Sequence, residues 1–266
     1  MIFLKLNLLI SIIFLVVAVS TASSQNLPVS TFTVDAVREY LGFSVSGAGD
    51  VNNDGFDDLI VGAYSGEDCE SRTGRAYVYS GQSGVLLYTF TGEAAGDIFG
   101  LSVSGAGDVN NDGFDDLIVG AYGINADGSY VGRAYVFSGQ SGDTVYVFTG
   151  EAAHDFFGGS IASAGDVDND GFDDLIVGAF GNDAGGLDAG RAYVYSGQSG
   201  TLLHTFTGEV ALYRFGVSVS GAGDVNNDGF DDLIVGGYLI TAAGFDAGWA
   251  YVYSGQSGTL LWRLQR

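Results

Sequence analysis

The chain has 266 residues, of which 47% are hydrophobic and 13% aromatic, enough for a buried core and unlike a disordered acidic tail. Asp and Glu number 32 against nine Lys and Arg, a formal net charge of −23. That field repels phosphate backbones and anionic lipid heads, and argues against nucleic-acid and membrane-surface roles.

Residues 1–24 read as a secretory signal peptide. Lys5 supplies the positive start, Leu8–Val19 is almost wholly apolar, and Ser20–Ser24 offers small residues for cleavage. The apolar run falls short of the roughly 20 residues that span a bilayer. The expectation is a secreted or cell-surface protein with no inserted segment after signal removal, residues 25–266 forming its folded domain. A single cysteine, Cys69, gives no internal disulfide framework, so an exported fold of this size needs another staple.

From residue 31 onward the chain repeats. The string from Ser46 to Gly62 recurs unchanged at Ser104–Gly120 and Ser220–Gly236, and with few changes at Ser163–Gly178. Asp50, Asp108, Asp166 and Asp224 mark a period of 58 residues, giving units of about 31–88, 89–146, 147–204 and 205–266. Within unit one, short period-two segments predict strands at Phe43–Ala48, Asp57–Ala63, Arg75–Tyr79 and Val85–Thr91, here termed A to D. Strand A is rich in Ser, Gly and Ala, as an innermost strand near a crowded axis must be. The fold class predicted is all-β: a β-propeller of four four-stranded blades, with a β-solenoid as the rival. The D-like pattern occurs five times, starting with Pro28–Thr33. Two arrangements stay open, a closed four-bladed ring, slightly favoured, and an open arc that self-associates.

The A–B connection reads Asp50-x-Asn52-x-Asp54-Gly55-x-Asp57-Asp58. Oxygen-bearing side chains stand at positions 1, 3, 5 and 9, Gly at position 6 permits a sharp turn, and the carbonyl at position 7 is free to turn inward. That pattern wraps a hard cation, and all-oxygen ligands in a flexible loop suit calcium. An EF-hand would need Glu at position 12, where Val61 stands, and flanking helices. The predicted ligands are Asp50, Asn52, Asp54, Phe56 and Asp58 in unit one; Asp108, Asn110, Asp112, Phe114 and Asp116 in unit two; Asp166, Asp168, Asp170, Phe172 and Asp174 in unit three; and Asp224, Asn226, Asp228, Phe230 and Asp232 in unit four. Four Ca2+ per chain are therefore expected. The plain alternative is an Asp/Asn/Gly turn without an ion, but seventeen of the 32 carboxylates crowd into these loops. The Asp at position 8 (Asp57, Asp115, Asp173, Asp231) is read as outer-shell or solvent-facing.

Phe99-Gly100, the acidic loop and Leu117–Ala121 together resemble the FG-GAP repeat, which builds the N-terminal β-propeller of integrin alpha subunits. The resemblance runs from Thr31 to about Leu264. It implies calcium in the A–B hairpins and the same ligand positions. Departures are Leu41-Gly42 in place of Phe-Gly, an aromatic (Tyr64, Tyr122, Phe180) where the family usually has Pro, Gly237-Tyr238 in unit four, and the presence of only four repeats.

In antiparallel blades the A–B and C–D turns share one face, and the B–C and D–A loops share the other. The calcium face is nearly constant between units. The B–C loops Ser65–Thr73, Gly123–Val131, Gly181–Ala189 and Leu239–Ala247 are equal in length and differ in letters, as do the D–A loops. A constant scaffold with varied loops suits a protein or glycan ligand on the B–C/D–A face, hence adhesion or binding. No catalytic constellation is visible: His204 occupies a strand D packing position, His154 a surface loop, and no G-x-S-x-G elbow occurs. The expectation is a non-enzyme; the alternatives are a fragment of a larger surface protein, or a hydrolase with its site on the variable loops.

Overall fold

A computed structural model describes residues 40–64, 73–123, 129–241 and 244–265. The expected signal peptide, the early strand Pro28–Thr33, Cys69 and most of the loop Ser65–Thr73 lie outside these residues. All of the described strands belong to one compact unit, Val34–Arg266.

Among the described residues sixteen strands form four antiparallel sheets of four, each built from strands consecutive in the chain. The first blade is β1 (Leu41–Gly49), β2 (Asp58–Ala63), β3 (Arg75–Tyr79) and β4 (Leu86–Thr91). The second is β5 (Ser102–Gly107), β6 (Asp116–Ala121), β7 (Arg133–Phe137) and β8 (Thr144–Thr149). The third is β9 (Phe157–Gly165), β10 (Asp174–Ala179), β11 (Arg191–Tyr195) and β12 (Leu202–Thr207). The fourth is β13 (Ser218–Gly223), β14 (Asp232–Thr241), β15 (Gly244–Tyr253) and β16 (Leu260–Gln265). The period-two reading of strands A to D thus holds to within two residues at each boundary of the first blade. These are propeller blades, and no helix occurs among the described residues.

The A strands β1, β5, β9 and β13 pack side by side. Their small residues permit this approach: a Cβ at Gly105 would stand 3.0 Å from the Gly47 carbonyl oxygen. Each blade therefore has a leading face, turned to the preceding blade, and a trailing face, turned to the next. Three apolar clusters fill the three junctions. In the first, Ala48, Val51, Ile60 and Val78 of the trailing face meet Val103, Leu117, Val119 and Tyr135 of the next leading face. Burial of such side chains contributes roughly 25 cal/mol per Å² of apolar surface. The Phe of each Phe-Gly pair wedges across the junction: Phe99, Phe157 and Phe215 are buried, and their N–H groups donate to the carbonyls of Thr73, Val131 and Ala189 of the preceding blade at 3.0, 3.1 and 3.0 Å.

The four-bladed ring is not formed, which corrects the slight preference for closure; the sheets are an open array. A ring of four would turn each blade through a quarter circle and splay the outer strands apart. Here the outer strands stay close. Phe90 stacks on Phe137, Phe148 on Tyr195 and Phe206 on Tyr253, each with centroids 4.1 Å apart. Tyr88 and Tyr146 of the D strands donate their hydroxyls to Gly139 and Gln198 carbonyls in the next blade's C–D turn at 2.8 and 3.0 Å. These aromatic contacts bind the outer strands of each blade to the next.

Candidate metal centres and the opposite loop face

The A–B hairpins share one geometry. Asn53, Asn111, Asn169 and Asn227 adopt left-handed φ of 56°, 55°, 58° and 62°, a conformation Asn tolerates better than most residues, and the following Gly55, Gly113, Gly171 and Gly229 lie at φ 86–90°. These two reversals curl the loop around its first carboxylate. Asp50 accepts the N–H of Asp54 at 2.9 Å on Oδ1 and that of Gly55 at 2.8 Å on Oδ2. Asp108, Asp166 and Asp224 repeat both bonds. Asp54, Asp112, Asp170 and Asp228 each accept the N–H of the Phe two residues on, at 3.0 Å. Those bonds place Phe56, Phe114, Phe172 and Phe230 at the loop tips.

The position-9 carboxylates Asp58, Asp116, Asp174 and Asp232 are fully buried. One oxygen accepts the N–H of the loop's second residue (Val51, Val109, Val167, Val225). The other accepts the N–H of the C–D turn glycine (Gly81, Gly139, Gly197, Gly255), at distances of 2.9–3.1 Å. This residue ties the acidic loop to the neighbouring turn, which puts the A–B and C–D turns on one face. Burial pushes Asp116 up to about 7, helped by the charges of Asp112 and Asp108. Asp174 is likewise pushed up to about 7 by burial, with Asp168 and Asp170 adding to it. Burial raises Asp58 and Asp168 as well. The loops concentrate negative charge where solvent cannot screen it.

Two observations test the fit to a cation. The Oδ1 atoms of Asn52, Asn110 and Asn226 are buried without a hydrogen-bond partner. A buried acceptor left alone costs roughly 1–3 kcal/mol, so three at one repeat position require an explanation. In the third loop the same position is Asp168, and oxygens of Asp166, Asp168 and Asp174 lie within 4.8 Å of one another. An oxygen-seeking cation satisfies the orphaned amides and neutralises the clustered carboxylates at once, and the donor set is all oxygen, as calcium prefers.

The position-8 carboxylates divide between the two places expected of them, solvent and the shell outside the predicted ligands. Asp57 alone is exposed and solvent-facing. Asp115 reaches back to the preceding blade and accepts the Asp50 N–H at 2.7 Å; Asp173 and Asp231 accept those of Asp108 and Asp166, both at 3.1 Å. They are staples between blades. Their recurrence in all four units was a signal that spacing within one loop could not decode, since the partner sits 65 residues away.

The opposite face carries rings. Phe156 stacks on Phe180 with centroids 5.0 Å apart and planes 4° apart. Tyr122 packs edge-on at 5.8 Å from Phe156, and Tyr130 joins at 5.5 Å. His154 stacks on Tyr130 at 5.9 Å, and the Arg214 guanidinium lies 5.8 Å from the Phe180 centroid. In the first blade Tyr40 stacks on Tyr64 at 5.2 Å. Tyr64, Tyr122 and Phe180 are the aromatics at the family's usual Pro position, which the resemblance to the FG-GAP repeat marked only as a departure. Tyr40, Ile98, Phe156 and Arg214 share another repeat position at φ 50–53°, a strained conformation for side chains of this bulk. Buried Asp155 holds the loop below them by accepting N–H bonds from Glu151 and Ala152 at 3.1 and 2.9 Å.

The FG-GAP repeat family matches residues 41–79, 99–137 and 157–195. The chain is 36% identical to Integrin alpha-5 of Xenopus laevis over 218 residues, covering 75% of this chain and 20% of that protein. It is 34% identical to Integrin alpha-V of Gallus gallus over 221 residues, covering 77% and 20%. The chain therefore spans about a fifth of the length of the curated relatives it matches. Among solved structures, "Structure of Dos1 propeller" aligns with a TM-score of 0.44 and 13% identity, over 79% of this chain and 44% of that one.

Proposed function

The chain is an FG-GAP repeat protein, and from that premise we propose that it is a secreted or cell-surface, calcium-stabilised module that binds a protein or glycan partner. The likeness to integrin alpha chains suggests an adhesion or ligand-binding module and supports binding over catalysis. In this reading each A–B loop holds one Ca2+ through its position 1, 3, 5 and 9 side chains and its position 7 carbonyl. The ion adds the positive charge that the buried carboxylates lack, and so fixes the loop against the C–D turn.

The observation that carries the ligand site is the aromatic row of Tyr122, Phe156 and Phe180 flanked by Tyr130 and Arg214. Half-buried rings on strained loops, beside a cation, are the residue types that anchor interfaces. They stand on the varied B–C/D–A face, away from the acidic hairpins. The test is binding to an array of extracellular-matrix proteins and glycans in millimolar calcium. Phe156→Ala and Tyr122→Ala are expected to weaken the strongest hit at least tenfold while the chain stays folded, with at most a small drop in melting temperature from the lost ring stacking and with bound calcium unchanged. A hit that survives both substitutions places the site elsewhere.

A further inference from the structure

The three junctions between blades are one interface used three times, and among the described residues both halves of it recur without a mate, one on the first blade and one on the fourth. On the trailing side four inner apolar residues are identical in every blade, Ala48, Val51, Ile60 and Val78 becoming Ala222, Val225, Ile234 and Val252 in the fourth, while the outer Phe90, Phe148 and Phe206 are matched there by Leu264. Val51, Val109 and Val167 are 0% exposed, whereas Val225 is 44% exposed. On the leading side, Val103, Ile161 and Val219 are 6–9% exposed, whereas their counterpart Val45 in the first blade is 61% exposed. Leu59 and Val61 beside it are half-buried, where their counterparts Leu117 and Val119 are fully buried.

The polar half-contacts are in place as well. Asp57 is exposed on the leading face, at the position where Asp115, Asp173 and Asp231 staple to the preceding loop. Asp224, in the fourth loop, is the counterpart of the residues whose N–H groups those staples cap. Tyr88, Tyr146 and His204 reach the next blade's C–D turn, His204 Nε2 lying 2.6 Å from the Gly255 carbonyl oxygen. In the fourth blade that position is Trp262, 46% exposed, an N–H donor of similar reach. The Ser80–Gly84 turn of the first blade offers the same carbonyls as the turns it would replace.

We propose that the trailing face of the fourth blade docks on the leading face of the first blade in a second copy of this chain, head to tail. The committed surface repeats most of the side chains of three interfaces already formed in the molecule, with Leu41 in place of the wedging Phe on the leading face and Leu264 in place of Phe90 on the trailing face, and this likeness is what favours a second copy over an unrelated partner. Such a contact is heterologous: two copies close into a ring if the rotation permits, and longer oligomers grow if it does not. Two four-bladed arrays together make eight blades, within the range propellers adopt.

Sedimentation velocity of the purified protein across a hundredfold concentration range, in buffered salt with millimolar calcium, tests this. The expected result is a mass of two or more chains, rising with concentration. Val45→Arg and Val225→Arg should each sediment as single chains. Their equimolar mixture should recover a two-chain species, because one intact leading face and one intact trailing face remain. Trp262→Glu serves in place of Val225→Arg if circular dichroism shows the latter unfolded. A single chain at every wild-type concentration overturns the proposal, and is the outcome if residues 28–33 cover a face in cis. Undiminished association of either single variant also overturns it, since only a contact between like faces would survive.

Discussion

Asp115 and Asp57 occupy the same repeat position and differ only in whether a blade precedes them. Asp115 caps the Asp50 N–H across a junction, and hydrogen bonds to charged groups contribute about 1.5–3 kcal/mol. Asp115→Ala is expected to lower the melting temperature by several degrees, and Asp57→Ala, measured in dilute protein, to leave it unchanged. Equal effects from the two would contradict the staple. The orphaned Asn110 Oδ1 supports a second prediction. Asn110→Asp copies the third loop, where Asp168 stands, and affinity in such loops rises with ligand charge. Calcium affinity should increase several-fold by titration calorimetry, while the melting temperature in EDTA falls, because a further carboxylate then joins an unneutralised cluster. A variant that melts higher in EDTA would argue that the loop needs no ion.

At the scale of strands and blades, the close approach of neighbours is written in glycine. A Cβ at Gly178 would run into the Gly216 carbonyl oxygen of the next blade, whereas at Gly236, the same position in the fourth blade, the nearest atom is Ser218 Cβ at 3.5 Å. Gly178→Ala should cost about 1–3 kcal/mol, in line with overpacking elsewhere, and Gly236→Ala close to nothing; urea denaturation of both variants measures the contrast. Much of this level was legible in the sequence. Alternation over Arg75–Tyr79 and the Gly-rich punctuation of Ser80–Gly84 locate strands because side chains on a pleat alternate faces. The acidic loops were legible because their residues are neighbours in the chain. The Asp115 staple was not, since it joins residues of different units and a one-dimensional pattern carries no distance between blades; nor was the Phe156–Phe180 stack, whose rings stand on two separate loops of the third blade.

For the whole molecule, the angle between blades is not encoded in any local pattern, so ring and arc could not be told apart from the repeats alone. Contacts such as the Phe90–Phe137 stack join residues of neighbouring blades, and no local pattern encodes them. The same array carries a net charge of −23 with more than half of its carboxylates in four hairpins. A cation that binds only the folded form stabilises it by roughly 2.7 kcal/mol per site at 100 times its dissociation constant. In the proposed reading calcium is the staple that disulfides would otherwise supply. Native mass spectrometry of the purified protein, titrated with calcium and then with EDTA, tests this most directly. The account predicts four ions per chain, all removed by EDTA with a marked fall in melting temperature; a chain that holds no calcium, and melts identically in EDTA, would contradict it.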